Sequence, residues 1–259
     1  MISTFGLLYE RQVDLNLVTG GFKRQLRQVG CRLAHDERYD RLTEFGTIIT
    51  RLLTDACPVT FSGSYFQVNN LALTPPLPSS LKPRVFVSGF SDACRRMQTR
   101  LGAVRLSYPR EISEYEQGDS LEGCGLRLGI IARDTADLAW RVARKRFPRS
   151  LEGEEIHDIA AEQVESQWHR VLSQDALQSD GPQGTYWIYP FRAYHTLCPY
   201  LVGSYQDVSN LLSRYFSLGV AALILDTLTE QDDLYHAMVA LTMAEEALSA
   251  SRRGTPVLT

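Results

Sequence analysis

The residues with the clearest chemical potential follow a short apolar run in the segment FVSGFSDACRRM, residues 86–97. Val85–Val87 is typical of a buried strand, Ser88 and Gly89 form a small-residue turn, and an amphipathic helix begins near Ser91. Because the first amides of a helix lack internal partners and lie at the positive end of its dipole, they favour an anion. The alternative is that Ser91 only caps the helix and that nothing binds there.

Charge, cysteines and histidines narrow the possible functions. With 27 basic and 30 acidic side chains, the net charge of −3 offers no electrostatic footprint for nucleic acid. The five cysteines form no CxxC pair and the five histidines no HExxH motif, which argues against a metal site and favours reduced thiols. No apolar run reaches the roughly 20 residues of a membrane span, and no basic leader begins the sequence. We therefore predict a cytoplasmic protein without a nucleic-acid or membrane partner.

Strands and helices alternate along the chain, which predicts an α/β fold with a parallel sheet covered by helices. Five apolar runs are predicted as parallel strands: 13–18, 84–88, 103–107, 125–131 and 220–226. Helices are predicted at 35–55, 91–101, 135–146, 154–172, 204–219 and 231–250.

Two segments interrupt this alternation within a single predicted domain, residues 1–259. Residues 59–78 contain two β-like runs hinged at Ser62-Gly63 and a proline-rich exit, which is typical of a hairpin insertion. Residues 173–199 are rich in aromatic side chains and are predicted to form a lid-like loop. Those side chains either close an apolar pocket or pack the loop against the protein.

Five segments of the chain resemble, in the same order, the bacterial luciferase-like flavin monooxygenases, and most closely their alkanesulfonate branch. They are LNLVTGG, HDERYDRLTEF, VTFSGSYFQVNNLALTPPLP, RVFVSGFSDA and LVGSYQDVSNLLSRYFSLGVAALIL, within residues 13–245. The resemblance implies a TIM-type (β/α)8 barrel that binds reduced FMN (FMNH2) at the carboxyl ends of its strands. It also implies O2 as oxidant, a small organic substrate, and a separate NAD(P)H-dependent flavin reductase as partner.

In that family the turn that corresponds to FVSGFS binds the FMN phosphate. The resemblance therefore implies that the anion at this helix N-terminus is the phosphate of FMN. Ser88, Gly89, Phe90 and Ser91 are therefore the phosphate candidates. Gly89 permits close backbone approach, and the amides of Phe90 and Ser91 open the helix.

Three residues outside the turn are further FMN candidates. Thr19 ends the segment LNLVTGG, and a hydroxyl at the carboxyl end of a barrel strand points into the site. Asn16 lies further back on that strand and either contacts the flavin or fills the barrel interior. Tyr39 corresponds to a tyrosine that reaches the phosphate in relatives, with packing against its helix neighbours as the alternative.

The catalytic pattern departs from that of the alkanesulfonate branch. Those enzymes have Arg-Leu-His where this chain has Arg127-Leu128-Gly129, so the arginine is kept and the histidine is absent. An arginine in an apolar strand is costly unless it faces an anion or a carboxylate. We predict a site role for Arg127, with a buried structural ion pair as the alternative.

Further departures affect the flavin wall and the lid. Tyr108 stands where relatives have a tryptophan and is predicted to wall the flavin ring. Arg192 and His195 are predicted to substitute for the lid arginine of the sulfonate enzymes. Leu228 stands where a tyrosine is expected. Together these departures argue against a sulfonate substrate.

The resemblance also implies that about three βα units, the N-terminal third of relatives, are missing before the strand at 13–18. Five parallel strands do not close an eight-stranded barrel, so we predict an incomplete one with open edges. Three outcomes are possible. Residues 1–12 together with a second copy or a complementing subunit cover the gap, the sheet stays open, or the gene product is incomplete. The predicted function is a flavin-dependent monooxygenase; the alternatives are a catalytically silent flavin-binding or subunit-like protein and an incomplete fragment.

Overall fold

The computed structural model describes residues 1–55, 57–115, 120–164, 166–178, 184–228 and 230–253. They form two compact units. The first unit contains residues 1–106 and a short stretch around Ser166, and the second contains the other residues from Ser107 onward. The prediction of one domain over the whole chain stays a prediction.

The first unit consists of parallel strands, a hairpin and helices. Its elements are α1 (Ile2–Tyr9), β1 (Leu15–Leu17), α2 (Lys23–Gln28), α3 (His35–Thr54), β2 (Val59–Ser62), β3 (Gln67–Leu71), a 3-10 turn (Ser79–Leu81), β4 (Val85–Ser88), α4 (Asp92–Leu101) and β5 (Val104–Ser107). β4 lies between β1 and β5 and is parallel to both, with Phe86 opposite Asn16 on one side and Val104 on the other. The carboxyl ends of these strands therefore share one edge of the sheet.

The core of the first unit forms around β4. Val85 and Val87 pack with Cys94 and Met97 of α4 and with Tyr39 of α3, and all five side chains are buried. Since β4 is apolar and covered, it reads in the sequence as a continuous hydrophobic run.

Two carboxylates tie distant segments of the first unit together. Asp14 accepts hydrogen bonds from Arg84 Nη2 at 2.6 Å and from the Arg84 amide at 3.0 Å, which fixes β1 against β4. Glu44 of α3 accepts from the three consecutive amides of 64–66 at 2.8–3.0 Å. The predicted hairpin insertion within 59–78 is the antiparallel pair β2–β3, and Glu44 holds its turn against α3.

The second unit is built around one long strand. Its elements are α5 (Ile112–Tyr115), β6 (Cys124–Arg133), α6 (Ala136–Arg146), α7 (Leu151–Gln163), α8 (Gln167–Gln178), β7 (Tyr186–Trp187), α9 (Tyr189–Arg192), β8 (Tyr200–Ser204), α10 (Tyr205–Ser217), β9 (Ala222–Leu225) and α11 (Gln231–Arg253). β9 runs parallel to the first half of β6, and β8 runs parallel to its second half. The short β7 pairs antiparallel with β8.

The two faces of β6 pack against different hydrophobic clusters. Leu126 and Leu128 belong to a cluster that includes Leu212 of α10. Ile131, on the opposite face, packs in a cluster with Ala139 of α6. Because side chains alternate along a strand, Arg127 and Gly129 lie on the same face as Ile131.

The structure corrects several predicted boundaries. The predicted helix 154–172 is two helices, α7 and α8, because the chain leaves the helix at Val164, which is buried. The predicted loop 173–199 contains the end of α8, then β7 and α9. β8 was not predicted, because it passes directly into α10. Ser204, the last residue of β8, is also the N-cap of α10, and in the sequence it indicates only the start of a helix.

The predicted fold class is confirmed as α/β with mostly parallel strands and covering helices. The described residues contain six parallel strands rather than the predicted five, and six remain short of the eight of a closed barrel. Within the same residues, no helix is both long and apolar enough to cross a membrane.

Candidate functional site

The turn between β4 and α4 presents the start of a ten-residue helix at the carboxyl edge of the first unit. Ser91 is the N-cap, and its Oγ accepts a hydrogen bond from the Cys94 amide at 3.3 Å. The preceding amides of the first turn point out of the helix without an intrahelical acceptor. With the helix dipole, these amides make the turn a favourable place for an anion.

Gly89 is required by the geometry of this turn. Its φ of +148° lies in the region that disfavours side chains. A Cβ added here would meet the Tyr39 hydroxyl and would lie 3.1 Å from Cys94 Sγ. The glycine therefore lets the Tyr39 hydroxyl lie directly against the backbone of the turn.

Tyr39 connects α3 to this turn. Its hydroxyl donates to the Ser88 carbonyl oxygen at 3.3 Å and lies within hydrogen-bonding reach of Thr19 and Ser91. Burial and then Cys94 raise the pKa of Tyr39 above its ordinary value, and the bonds with Thr19 and Ser91 oppose them only in part. The phenol therefore stays protonated and serves as a hydrogen-bond donor at neutral pH.

All the residues predicted to bind FMN come together at one edge of the first unit. Ser88 Oγ donates to Asn16 Oδ1 at 3.0 Å, which joins β1 to the turn. The set is Asn16, Thr19, Tyr39, Ser88, Gly89, Phe90 and Ser91. Its hydroxyls, amides and glycine fit a phosphate group, although cofactor binding by these residues stays a prediction.

Two arginines that the sequence analysis did not single out flank the turn. The guanidinium carbons of Arg95 and Arg105 each lie 5.1 Å from the centroid of the Phe90 ring. Cation–π contacts of this kind hold positive charge beside the turn. Arg95 was visible in the segment FVSGFSDACRRM, but Arg105 comes from β5 and only the fold brings it here.

A second candidate site lies in the second unit, around Arg127 of β6. Arg127 Nη2 donates to Asp226 Oδ1 at 2.9 Å, and the Asp226 side chain is 8% exposed while that of Arg127 is 37% exposed. Burial works to lower the pKa of Arg127, but the bond with Asp226 and neighbouring charges raise it above its ordinary value. The arginine thus forms an ion pair, as in the alternative that the sequence analysis left open, while part of its guanidinium stays accessible; its site role stays a prediction.

Tyr200 lies opposite Gly129, the position at which the alkanesulfonate branch is expected to have a histidine. In the β6–β8 register Tyr200 is opposite Gly129, and a Cβ at Gly129 would meet the Tyr200 ring. The Tyr200 hydroxyl donates to Asp226 Oδ2 at 3.0 Å. Burial and Asp226 raise the pKa of Tyr200, so the phenol is a neutral donor.

Cys198 and Tyr108 complete the surroundings of this pair. Burial and then Asp226 raise the pKa of the Cys198 thiol, and burial raises that of Tyr108 although Arg127 opposes it. We call Arg127, Cys198, Tyr200 and Asp226 the Asp226 cluster. The sequence analysis missed three of its members, and the one available signal was that Asp226 ends the apolar run VAALILD at a strand's carboxyl end.

Arg192 and His195 have other partners. Arg192 donates to both carboxylate oxygens of Asp158, at 2.8 and 3.0 Å, and to the Glu154 carbonyl oxygen at 2.9 Å. His195 Nε2 lies 3.0 Å from the Pro148 carbonyl oxygen. These contacts anchor the segment around α9, and the catalytic role of both residues stays a prediction.

Comparison with known proteins identifies the family. The sequence profile of the family described as Luciferase-like monooxygenase matches residues 1–222, more than half of the chain. The chain belongs to the luciferase-like monooxygenases. A similar protein is 4-(gamma-L-glutamylamino)butanoyl-[BtrI acyl-carrier protein] monooxygenase BtrO of Niallia circulans. The two sequences are 33% identical over 244 aligned residues, which are 91% of this chain and 71% of BtrO.

Solved structures of this fold are similar to this luciferase-like monooxygenase. One is riboflavin lyase RcaE, solved with modified FMN and its substrate riboflavin, with a TM-score of 0.59 and 13% sequence identity. The superposition covers 88% of this chain but only 61% of RcaE. EDTA monooxygenase EmoA from Chelativorans sp. BNC1 gives 0.59 at 18% identity, over 95% of this chain and 70% of EmoA. At these identities the likeness shows the fold alone; membership of the alkanesulfonate branch and a missing N-terminal third stay predictions.

Proposed function

We propose that this luciferase-like monooxygenase binds FMN and uses its reduced form with O2 to oxidise an acyl substrate held on a carrier protein. The observation that supports it most is the convergence of seven predicted residues, from β1 and the segment after it, α3 and the β4–α4 turn, on one edge of the first unit. The similar protein RcaE is seen with a modified FMN.

The first unit would hold the cofactor by its phosphate. The amides of Phe90 and Ser91 and the hydroxyls of Ser91 and Thr19 are the proposed donors. Ser88 and the protonated Tyr39, whose O–H groups donate to Asn16 and to the Ser88 carbonyl oxygen, would turn them to the phosphate. Bound reduced FMN supplies the electrons that let O2 react with an organic substrate. A separate NAD(P)H-dependent flavin reductase is the proposed source of the reduced flavin.

The Asp226 cluster is proposed to act on the substrate. Asp226 fixes the direction of the Arg127 guanidinium, whose accessible part offers positive charge to an oxygen that becomes negative during reaction. Tyr200 shares the other Asp226 oxygen, so the carboxylate holds both donors in fixed positions. Tyr108 is proposed to wall the flavin ring.

The substrate class is proposed from the similarity to BtrO, whose name gives it an acyl group on an acyl-carrier protein. Absence of the histidine at Gly129 and the different lid residues set this chain apart from a sulfonate enzyme. A catalytically silent flavin-binding protein is the second candidate, favoured by the same absence of a histidine.

The direct test is oxygen transfer. The purified chain is mixed with FMN, a flavin reductase, NADH and the BtrO substrate on its carrier protein under 18O2. We expect a product that is heavier by one 18O atom and that is absent when the chain is omitted. FMN binding without labelled product from this substrate would favour the silent flavin-binding protein.

A further inference from the structure

A basic segment follows the candidate FMN edge in the first unit. Residues 20–34 carry four cations, Lys23, Arg24, Arg27 and Arg32, and no acidic residue, although the whole chain has a net charge of −3. Such a concentration of one sign on an otherwise acidic protein favours an acidic partner.

The four cations are directed to solvent. Each is exposed, and none has a carboxylate partner within the part of the chain that the structure describes. Lys23 and Arg27 are four residues apart on α2 and lie on the same face of the helix. Val29 stands among them with 78% of its surface exposed. Lys23, Arg24, Arg27, Val29 and Arg32 are called the α2 patch.

The α2 patch is held beside the candidate FMN edge. It begins at Lys23, four residues after Thr19, which follows the carboxyl end of β1 where the seven FMN candidates converge. Leu26 of α2 packs over Gly20, with its Cδ2 3.0 Å from the position of an added Cβ. The helix is therefore folded back against the strand end rather than extended away from it.

We propose that the α2 patch is the docking surface for the acidic face of an acyl-carrier protein. This inference rests on the proposed function, because a tethered acyl group reaches the active edge only if its carrier docks near that edge. Four exposed cations around an apolar side chain complement an acidic protein surface with an apolar centre. Electrostatic docking of this kind raises the association rate and weakens with salt.

Binding is measured with the full-length chain and the holo form of the BtrI acyl-carrier protein as probe. The test variant is Lys23→Glu/Arg27→Glu. The matched control is Arg141→Glu/Lys145→Glu, an exposed pair with the same spacing on α6 and the same change of charge. We expect the α2 variant to weaken binding about 10-fold and the control less than about 2-fold, with the difference shrinking at high salt.

Turnover separates docking from chemistry. With the acyl group on BtrI, kcat/KM of the α2 variant should fall about 10-fold. With the same acyl group as a free N-acetylcysteamine thioester, kcat/KM should not change, and neither should FMN affinity.

Two results would overturn the docking surface: no binding of BtrI by the wild-type chain, or equal losses in the α2 variant and its control. If the α2 variant loses affinity for an RNA or an anionic vesicle but not for BtrI, the patch belongs to another partner. If the chain binds no FMN but the α2 variant alone loses BtrI, the proposed oxygenase falls while the docking surface stands.

Discussion

At the residue scale, two kinds of site residue differ in how far the sequence reveals them. Ser88–Ser91 lie together in the chain, and the serines and glycine among them, between a strand and a helix, indicate an anion site by local rules. The Asp226 cluster gathers residues 127, 198, 200 and 226, which only strand pairing brings together. Arg127 was predicted because its charge is out of place in an apolar strand; Tyr200 and Cys198 carry no such signal.

Ser91 tests the phosphate turn. Ser91→Ala removes a hydroxyl donor and the N-cap of α4, so FMN affinity should fall about 10-fold and stability by about 1 kcal/mol. The matched control is Ser150→Ala, which removes the corresponding cap of α7, where Ser150 Oγ accepts from the Gly153 amide at 3.0 Å. The control should lose similar stability and keep its FMN affinity. Equal FMN affinity in both variants would refute phosphate binding by the β4–α4 turn.

Asp226 tests the catalytic cluster. Asp226→Asn keeps the size of the side chain but removes the charge that orients Arg127 and Tyr200, so kcat should fall about 10- to 100-fold. FMN affinity should stay within about 2-fold of the wild type, as judged by titration. Asp158→Asn, which removes the charge facing Arg192, is the control and should keep kcat. A larger loss in the control would assign the catalytic arginine to Arg192 instead.

At the scale of elements, boundaries were predictable where a local signal marks them. The β4–turn–α4 unit has an apolar strand, a glycine turn and a serine cap in sequence, and the structure confirms it. β8 has no turn before α10, so Ser204 was taken as the start of the helix and the four residues before it were assigned to no element. The break between α7 and α8 has neither glycine nor proline to announce it; the backbone turns extended at Val164, a buried residue.

The contact between β6 and β8 tests the packing at Gly129. Gly129→Ala places a methyl group against the Tyr200 ring, and overpacking should destabilise the chain by about 1–3 kcal/mol in urea unfolding. Gly21→Ala is the control, since its Cβ would make only an ordinary 3.7 Å contact with Ser166. Gly129→Ala/Tyr200→Leu should recover part of the loss. No recovery would mean that the backbone of β6, and not Tyr200, requires the glycine.

At the scale of the whole molecule, acid sensitivity is expected from a buried histidine pair in the second unit. His157 and His169 stack at 6.1 Å, and His157 Nε2 lies 3.0 Å from Ser173 Oγ. Burial, and then the charge of His157, lower the pKa of His169 to about 4. Burial and then Arg192 lower that of His157 as well. Both rings are therefore neutral in the folded protein.

The sign of the pH effect follows from that lowered pKa. Between about pH 6.5 and pH 4 the unfolded chain binds a proton that folded His169 does not, so stability falls as the pH falls. The loss from His169 at pH 5 relative to pH 7.5 should be about 2 kcal/mol in urea unfolding. His169→Gln should flatten this dependence. An unchanged slope in the variant would contradict the role of His169.

The family and the α/β class were accessible from the sequence because short motifs carry them in order, and the same motifs contain the residues of the candidate FMN edge. The α2 patch was not singled out from the sequence, since its meaning depends on its position beside the end of β1.

The central claim is that the β4–α4 turn binds the phosphate of FMN. Calorimetric titration of the wild-type chain with FMN and, in parallel, with riboflavin, which lacks only that phosphate, tests it most directly. We expect FMN to bind at least about 10-fold more tightly, because charge-assisted hydrogen bonds at the turn are available to FMN alone. Equal affinity for the two flavins, or no binding of either, would contradict the claim.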